Sequence, residues 1–182
     1  MDVVAVVAVA FWSMLPAYVP NNVAVLAGGG PPIDGGRTLG GRRLLGDGKT
    51  WRGTIVGVGA GAALALALDV GAPAVREASG IEAVPGFPIA IVVALPLGAM
   101  LGDIVASFLK RRSGRERGAA TPGLDQLDFV VGALVLGAAA DYGWFSATFT
   151  PPVLLFVLVI TPVLHSGTNY VAYLLDLKEV PW

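Results

Sequence analysis

The 182-residue chain contains no cysteine, and that absence removes disulfides, thiolate nucleophiles and Cys-ligated metals from consideration. Charge is also scarce. Only 14% of residues are Asp, Glu, Lys or Arg, against roughly 25% in soluble domains, while 55% are hydrophobic and the mean hydropathy is +0.73. That balance places the chain among integral membrane proteins. A single histidine, His165, leaves little room for His-based metal or acid–base clusters. A signal peptide's basic n-region is missing too: the chain begins MDVVAVVAVAFW, with an acid in its place, so the first apolar run is expected to be retained as a span. Strand-type alternation over about ten residues, the mark of an outer-membrane barrel, is not found in any apolar run.

What is present are five apolar runs near the roughly 20 helical residues needed to cross a hydrocarbon core. They cover Val3 to Leu26, Gly53 to Val70, Pro88 to Leu109, Leu127 to Phe145 and Val153 to Leu175. The expected fold is all-α: one polytopic membrane domain over residues 1–182, a bundle of five transmembrane helices with two basic cytoplasmic loops, 27–52 and 110–126. Pro16 and Pro20 should bend or break the first span near Asn21 and Asn22, and Pro96 and Pro162 should kink the third and fifth. In the second, Gly53, Gly57 and Gly61 recur every four residues, which favours close packing within the monomer over a homodimer contact. His165, Thr168, Asn169, Tyr173 and Asp176 on the fifth span are mostly compatible with one polar stripe, and for His165 hydrogen-bonded packing is preferred, with lining of the substrate cavity as the alternative.

Positive charge orients the bundle. Of twelve Lys and Arg, five lie in the first loop (Arg37, Arg42, Arg43, Lys49, Arg52), five in the third (Lys110, Arg111, Arg112, Arg115, Arg117) and Lys178 follows the last span, leaving Arg76 alone in the second loop. Five crossings put eleven of the twelve on one side, which the positive-inside rule makes cytoplasmic, with the N-terminus outside a plasma membrane. The second loop, Gly71 to Phe87, reads as a short external connection with little chemistry.

The chemistry concentrates in GDIVASFLKRRSGRERGAATPGLDQLD, from Gly102 to Asp128. Asp103, Ser107 and Lys110 share one helical face, as do Asp125 and Asp128 on the next helix. Asp103 lies about seven residues inside the basic end, roughly 10 Å deep, where a lone carboxylate costs several kcal/mol. Three carboxylates beside several cations suit a Mg²⁺–nucleotide site, because Mg²⁺ takes one or two carboxylates and fills its shell with water and phosphate oxygens. The Gly- and Arg-rich first loop reads alone as a flexible basic segment against lipid headgroups, and beside the acids as a polyphosphate binder. GDGKT, Gly46 to Thr50, is not a P-loop, since Arg43 stands where the first glycine belongs. DGGR, Asp34 to Arg37, lacks the spaced aspartates of the CDP-alcohol phosphotransferases.

Ser107, Lys110-Arg111, Pro122-Gly123 and the D-x-x-D of Asp125 and Asp128 together resemble the signature of the CDP-diacylglycerol synthase superfamily of membrane cytidylyltransferases. KTWRG, Lys49 to Gly53, resembles that family's K-T-W-E-G, with Arg52 in place of Glu. GDGKTWRG and PGLDQLDF are most similar to its archaeal branch, the CDP-archaeol synthases. The bacterial His-Gly-Gly before the first Asp and Arg after it are replaced by Ala-Thr-Pro-Gly and Gln126. The resemblance implies transfer of CMP from CTP to 2,3-di-O-geranylgeranylglyceryl phosphate. It implies one or two Mg²⁺ ions on Asp103, Asp125 and Asp128, with Lys110 completing the catalytic set. Arg37, Arg43, Lys49, Thr50, Ser107, Arg111, Pro122 and Gly123 would contact substrate, and no nucleic-acid partner is implied. Rival readings are an ester-lipid CDP-diacylglycerol synthase, a divalent-cation transporter and a non-catalytic lipid-binding scaffold.

Overall fold

The computed structural model describes residues 1–115 and 123–176. Its elements are α1 (Val3–Ala27), a hairpin of β1 (Thr38–Leu39) and β2 (Arg42–Arg43), α2 (Trp51–Ser79), α3 (Ile89–Arg112), α4 (Leu124–Ala140), α5 (Tyr142–Thr148) and α6 (Pro151–Leu174). Among the described residues four helices are long and apolar enough to cross a membrane: α1, α2, α3 and the stretch Pro151–Val171 of α6. The expected fourth span is corrected. Asp141 ends α4 after 17 residues and caps α5 instead, accepting the Trp144 N–H at 2.9 Å, so residues 127–145 are two helices rather than one.

The second span is longer than expected and the second loop correspondingly shorter. α2 continues through Pro73 to Ser79 and stops at Gly80, whose φ of +69° supplies a left-handed C-cap. What remains of the loop is firmly held. Trp12 and Trp144 donate their indole N–H to the Pro85 and Gly86 carbonyls at 3.0 and 2.7 Å, Arg76 donates to the Val84 carbonyl at 2.8 Å, and Asp69 accepts the Phe87 N–H at 2.6 Å.

Close backbone approach builds the bundle. Gly57 and Gly61 of α2 rest against the Pro20 and Pro16 carbonyls of α1, where a Cβ would fall within 2.6 Å of each oxygen, so these glycines serve packing within the chain. α1 stays helical through Pro16 and Pro20 and is not broken there. α3 and α4 run antiparallel and meet at a second glycine seam: Gly98 faces the Gly132 carbonyl and Gly102 faces the Asp128 carbonyl. Met14, Ile91, Leu95, Val130, Val153 and Val157 fill the space between α1, α3, α4 and α6 with no more than trace exposure.

The first loop carries a short hairpin. β1 and β2 pair through Leu39↔Arg42, and the turn residues Gly40 and Gly41 both take positive φ, as a two-residue type I′ hairpin requires. Arg112 at the end of α3 donates to the Leu39, Arg42 and Arg43 carbonyls at 2.6, 3.2 and 2.8 Å, seating the hairpin on that helix.

Candidate active site

The Gly102–Asp128 contact is the local cause of the site. Because nothing separates the two backbones there, the neighbouring carboxylates Asp103 of α3 and Asp128 of α4 open into the same cavity, together with Asp125 one turn earlier on α4. That cavity encloses about 400 Å³. Its other walls are the start of α2 with Lys49 and Thr50, and a neutral polar wall of α1 and α6: Tyr18, Asn21 and Asn22 face Thr161, His165 and Asn169. Tyr18 and Thr161 hydroxyls bond at 2.9 Å and tie the two helices together.

Charges in the cavity are paired across helices. Lys49 donates to Asp103, and Lys110 donates to Asp125 at 2.8 Å. Among the described residues Asp128 has no lysine within ion-pair distance, and it accepts the Phe129 N–H at 2.6 Å. Thr50 is the N-cap of α2, its hydroxyl accepting the Gly53 N–H at 3.1 Å, so the first turn of α2 is pinned beside Lys49.

Of the residues singled out in the sequence, Asp103, Asp125, Asp128, Lys49 and Thr50 line the cavity, and Lys110 reaches its edge through Asp125. Others stand elsewhere. Arg43 is bound to Asp34 at 2.7 Å and to Asp47 at 2.6 Å, both within its own loop, and Arg37 is exposed on that loop. Arg43 is thus paired inside its own loop and does not line the cavity. Its guanidinium, with the Leu45, Gly46 and Gly36 N–H groups, holds the Asp34 carboxyl far below the usual carboxylate range, and the two carboxylates in turn hold Arg43 protonated more firmly than usual. Ser107 is buried in α3 a turn beyond Asp103 and Arg111 follows on the same helix, both off the cavity lining. Gly123, with φ of +84°, is the N-cap of α4. Pro122 lies outside the described residues.

The α1 contribution, Tyr18 with Asn21 and Asn22, was not anticipated as part of the site. Its signal was present in two adjacent amides within an apolar run. His165 lines the cavity as well. Asn21 Oδ1 is buried with no hydrogen-bond partner among the described residues, a polar atom left for a ligand donor.

A family model described as CarS-like, CDP-archaeol synthase, matches residues 3–182. The chain belongs to the CDP-archaeol synthase family. It is 63% identical over 182 residues to the CDP-archaeol synthase of Halobacterium salinarum, with both chains covered completely. The Natronomonas pharaonis CDP-archaeol synthase is 60% identical over 187 residues, covering 97% of each chain, and that of Methanosphaerula palustris is 48% identical over 170 residues, covering 93% of this chain and 100% of its own. A solved structure described as an intramembrane enzyme for archaeal membrane lipids biosynthesis matches with a TM-score of 0.70 and 41% identity, over 88% of this chain and 92% of that one. With its apolar helices, this CDP-archaeol synthase family member is a multi-pass membrane enzyme.

Proposed function

We propose that the cavity moves CMP from CTP to an isoprenoid glycerol phosphate, releasing pyrophosphate and leaving a CDP-activated ether lipid for phospholipid synthesis. The observation that carries this reading is the convergence of Asp103, Asp125, Asp128 and Lys49 on one cavity at the loop-bearing ends of the helices. The lipid phosphate is already an anionic nucleophile, so the reaction needs no general base. The protein has to hold that phosphate in line with the α-phosphorus and neutralise charge on the departing pyrophosphate.

Lys49 and Lys110 supply the neutralising cations, each leaving its aspartate partner as a phosphate oxygen arrives. The amide and imidazole groups of Asn21, Asn22, His165 and Asn169 suit the base and ribose, since ether-linked tails offer almost nothing to hydrogen-bond. Those tails enter between helices from the bilayer. Direct attack requires both substrates to be bound together, which makes the kinetics sequential.

The donor set suits Mg²⁺ in kind: hard carboxylate oxygens from two helices facing a phosphate-sized cavity. Among the described residues no three His, Asp or Glu side chains stand close enough to hold an ion by themselves, so phosphate oxygens would complete the shell around Asp103, Asp125 and Asp128. One or two bound ions would withdraw charge from the polyphosphate. The site faces the cytoplasm of the cell membrane, on the side carrying the basic loops.

Two labelled nucleotides test the reaction. With CTP labelled at the α-phosphorus the label passes to lipid, and with label at the γ-phosphorus it leaves in pyrophosphate. Lipid that gained γ-label would make the protein a lipid kinase, and denatured protein that kept α-label would make the reaction proceed through a covalent intermediate.

A further inference from the structure

The loop that delivers Lys49 to the cavity is poorly suited to hold anything still. Nine of the 23 residues from Gly28 to Thr50 are glycine, and each adds conformational freedom that must be lost when the loop is ordered. The loop nevertheless closes around one buried side chain. Asp34 is 1% exposed and accepts five hydrogen bonds. Its Oδ1 takes the Gly36 N–H at 3.1 Å and Arg43 Nη2 at 2.7 Å; its Oδ2 takes Arg43 Nε at 3.3 Å and the Leu45 and Gly46 N–H groups at 3.0 and 3.2 Å.

Those donors come from both limbs of the loop, and each limb continues directly to Lys49. The Lys49 N–H donates to the Gly46 carbonyl at 3.3 Å, and the Lys49 carbonyl accepts the N–H of Ile33, the residue before Asp34, at 2.8 Å. Trp51 N–H, on the far side of Lys49, reaches the Pro31 carbonyl at 3.3 Å. Lys49 is thus held between two residues that Asp34 fixes. The hairpin on the other flank is seated by Arg112 on α3, the helix that carries Asp103, and the Arg112 guanidinium lies 5.6 Å from the centre of the Phe108 ring.

We propose that Asp34 is a positioning residue for cytidylyl transfer: it sets the loop from which Lys49 faces Asp103, and Arg112 references that loop to α3. Asp34 is buried inside the loop and does not line the cavity, so its effect on turnover passes through Lys49. The inference rests on the assignment of Lys49 to the polyphosphate.

A double-mutant cycle on detergent-purified enzyme, with CTP and lipid phosphate varied separately, tests it. Asp34→Asn keeps the size of the side chain but replaces one acceptor oxygen by a donor. It should lower kcat/KM for CTP by about tenfold or more, given that displacements near 1 Å cost up to about 10² in rate, and leave the KM for lipid phosphate unchanged. Lys49→Ala should lower the same parameter further, and the double variant should match Lys49→Ala within about twofold, because a residue acting only through Lys49 has nothing left to position. Losses that multiply would mean a general structural role and overturn the proposal, as would an Asp34→Asn enzyme with unchanged kcat/KM. Wild-type kinetics in Lys49→Ala would sink the site assignment itself. If Asp34→Asn does not purify as a monodisperse species, Arg112→Gln carries the same cycle, since it spares the Asp34 cluster while loosening the hairpin from α3, and multiplicative losses there reject the frame equally.

Discussion

Substituting Gly102 by Ala is the smallest change that should separate the two halves of the site. A Cβ built on Gly102 falls 2.2 Å from the Asp128 carbonyl oxygen, 2.9 Å from its carbon and 3.2 Å from Gly132 Cα. Ordinary contact begins at 3.4 Å, and the difference between 3.4 and 2.2 Å leaves about 1.2 Å of overlap. No side chain can rotate to relieve it. The opposing atoms are backbone, so α4 has to move away from α3, carrying Asp125 and Asp128 away from Asp103. A shift near 1 Å in a catalytic group is worth about 10² in rate, whereas overpacking of this size costs about 1–3 kcal/mol of stability, which a bundle of this size survives.

The expected result is therefore a folded, nearly inactive enzyme, read as transfer of α-label from CTP to lipid phosphate beside a thermal unfolding curve. Gly132→Ala should behave alike, since its Cβ would fall 2.2 Å from the Gly98 carbonyl oxygen. Gly59→Ala is the control: it lies on the exposed face of α2 with no other atom within 4 Å, and should be active. Transfer by Gly102→Ala within about twofold of wild type would show that the helix seam does not set the site.

Three further outcomes are expected. Asp103→Asn, Asp125→Asn and Asp128→Asn should each lose at least about 10² in transfer while remaining monodisperse, and a normal rate in any one removes that residue from the site. With cysteines replacing Leu39 and Ser79 in turn, an impermeant thiol reagent added to intact cells should label only the second; labelling at 39 alone would invert the orientation. Protection of the Leu45 and Gly46 amides against hydrogen exchange should stay level from pH 7 to about pH 4 and fall only below it. The sign follows from the lowered pKa of Asp34: its stabilising charge is complete above the unfolded value of about 3.9 and is lost as pH drops through the lower folded value. Protection lost between pH 7 and pH 5 would contradict that charge state.

The acidic core of the site was legible because burial makes charge informative. A carboxylate ten ångströms or so inside an apolar helix requires a reason, and Asp103, Asp125 and Asp128 do open on one cavity. Cations carried less information. Arg43 and Lys49 sit in the same loop with similar surroundings in sequence, yet Arg43 turns to Asp34 and Lys49 to Asp103, a choice made by the fold of a hairpin whose turn depends on Gly40 and Gly41. Helix ends were less legible. The second apolar run was expected to close at Val70, but Asp69 is used by the returning loop and the helix runs on to Ser79. Asp141, inside a run that looked continuous, proved to be a cap. The α2 glycines announced their packing by a four-residue repeat, and Gly98 and Gly102 repeat in the same way on α3, but their partner Gly132 is followed on α4 by Gly137 at five residues and gave no four-residue signal.

The pairing of Lys49 with Asp103 and Lys110 with Asp125 also bears on how such a site can exist inside a membrane bundle before substrate arrives. Unpaired, each charge would sit in a poorly solvated cavity at a cost of several kcal/mol. Paired, the lysines are largely buried and nearly neutral as units with their aspartates, and among the described residues Asp128 is the cavity carboxylate with no lysine in ion-pair contact. Under the proposed reaction an entering polyphosphate would engage Lys49 and Lys110, and the aspartates they release, with Asp128, would be the residues to hold a divalent cation that accompanied it and to offset its charge. The two salt bridges would then keep the empty cavity's charges paired until substrate replaces them.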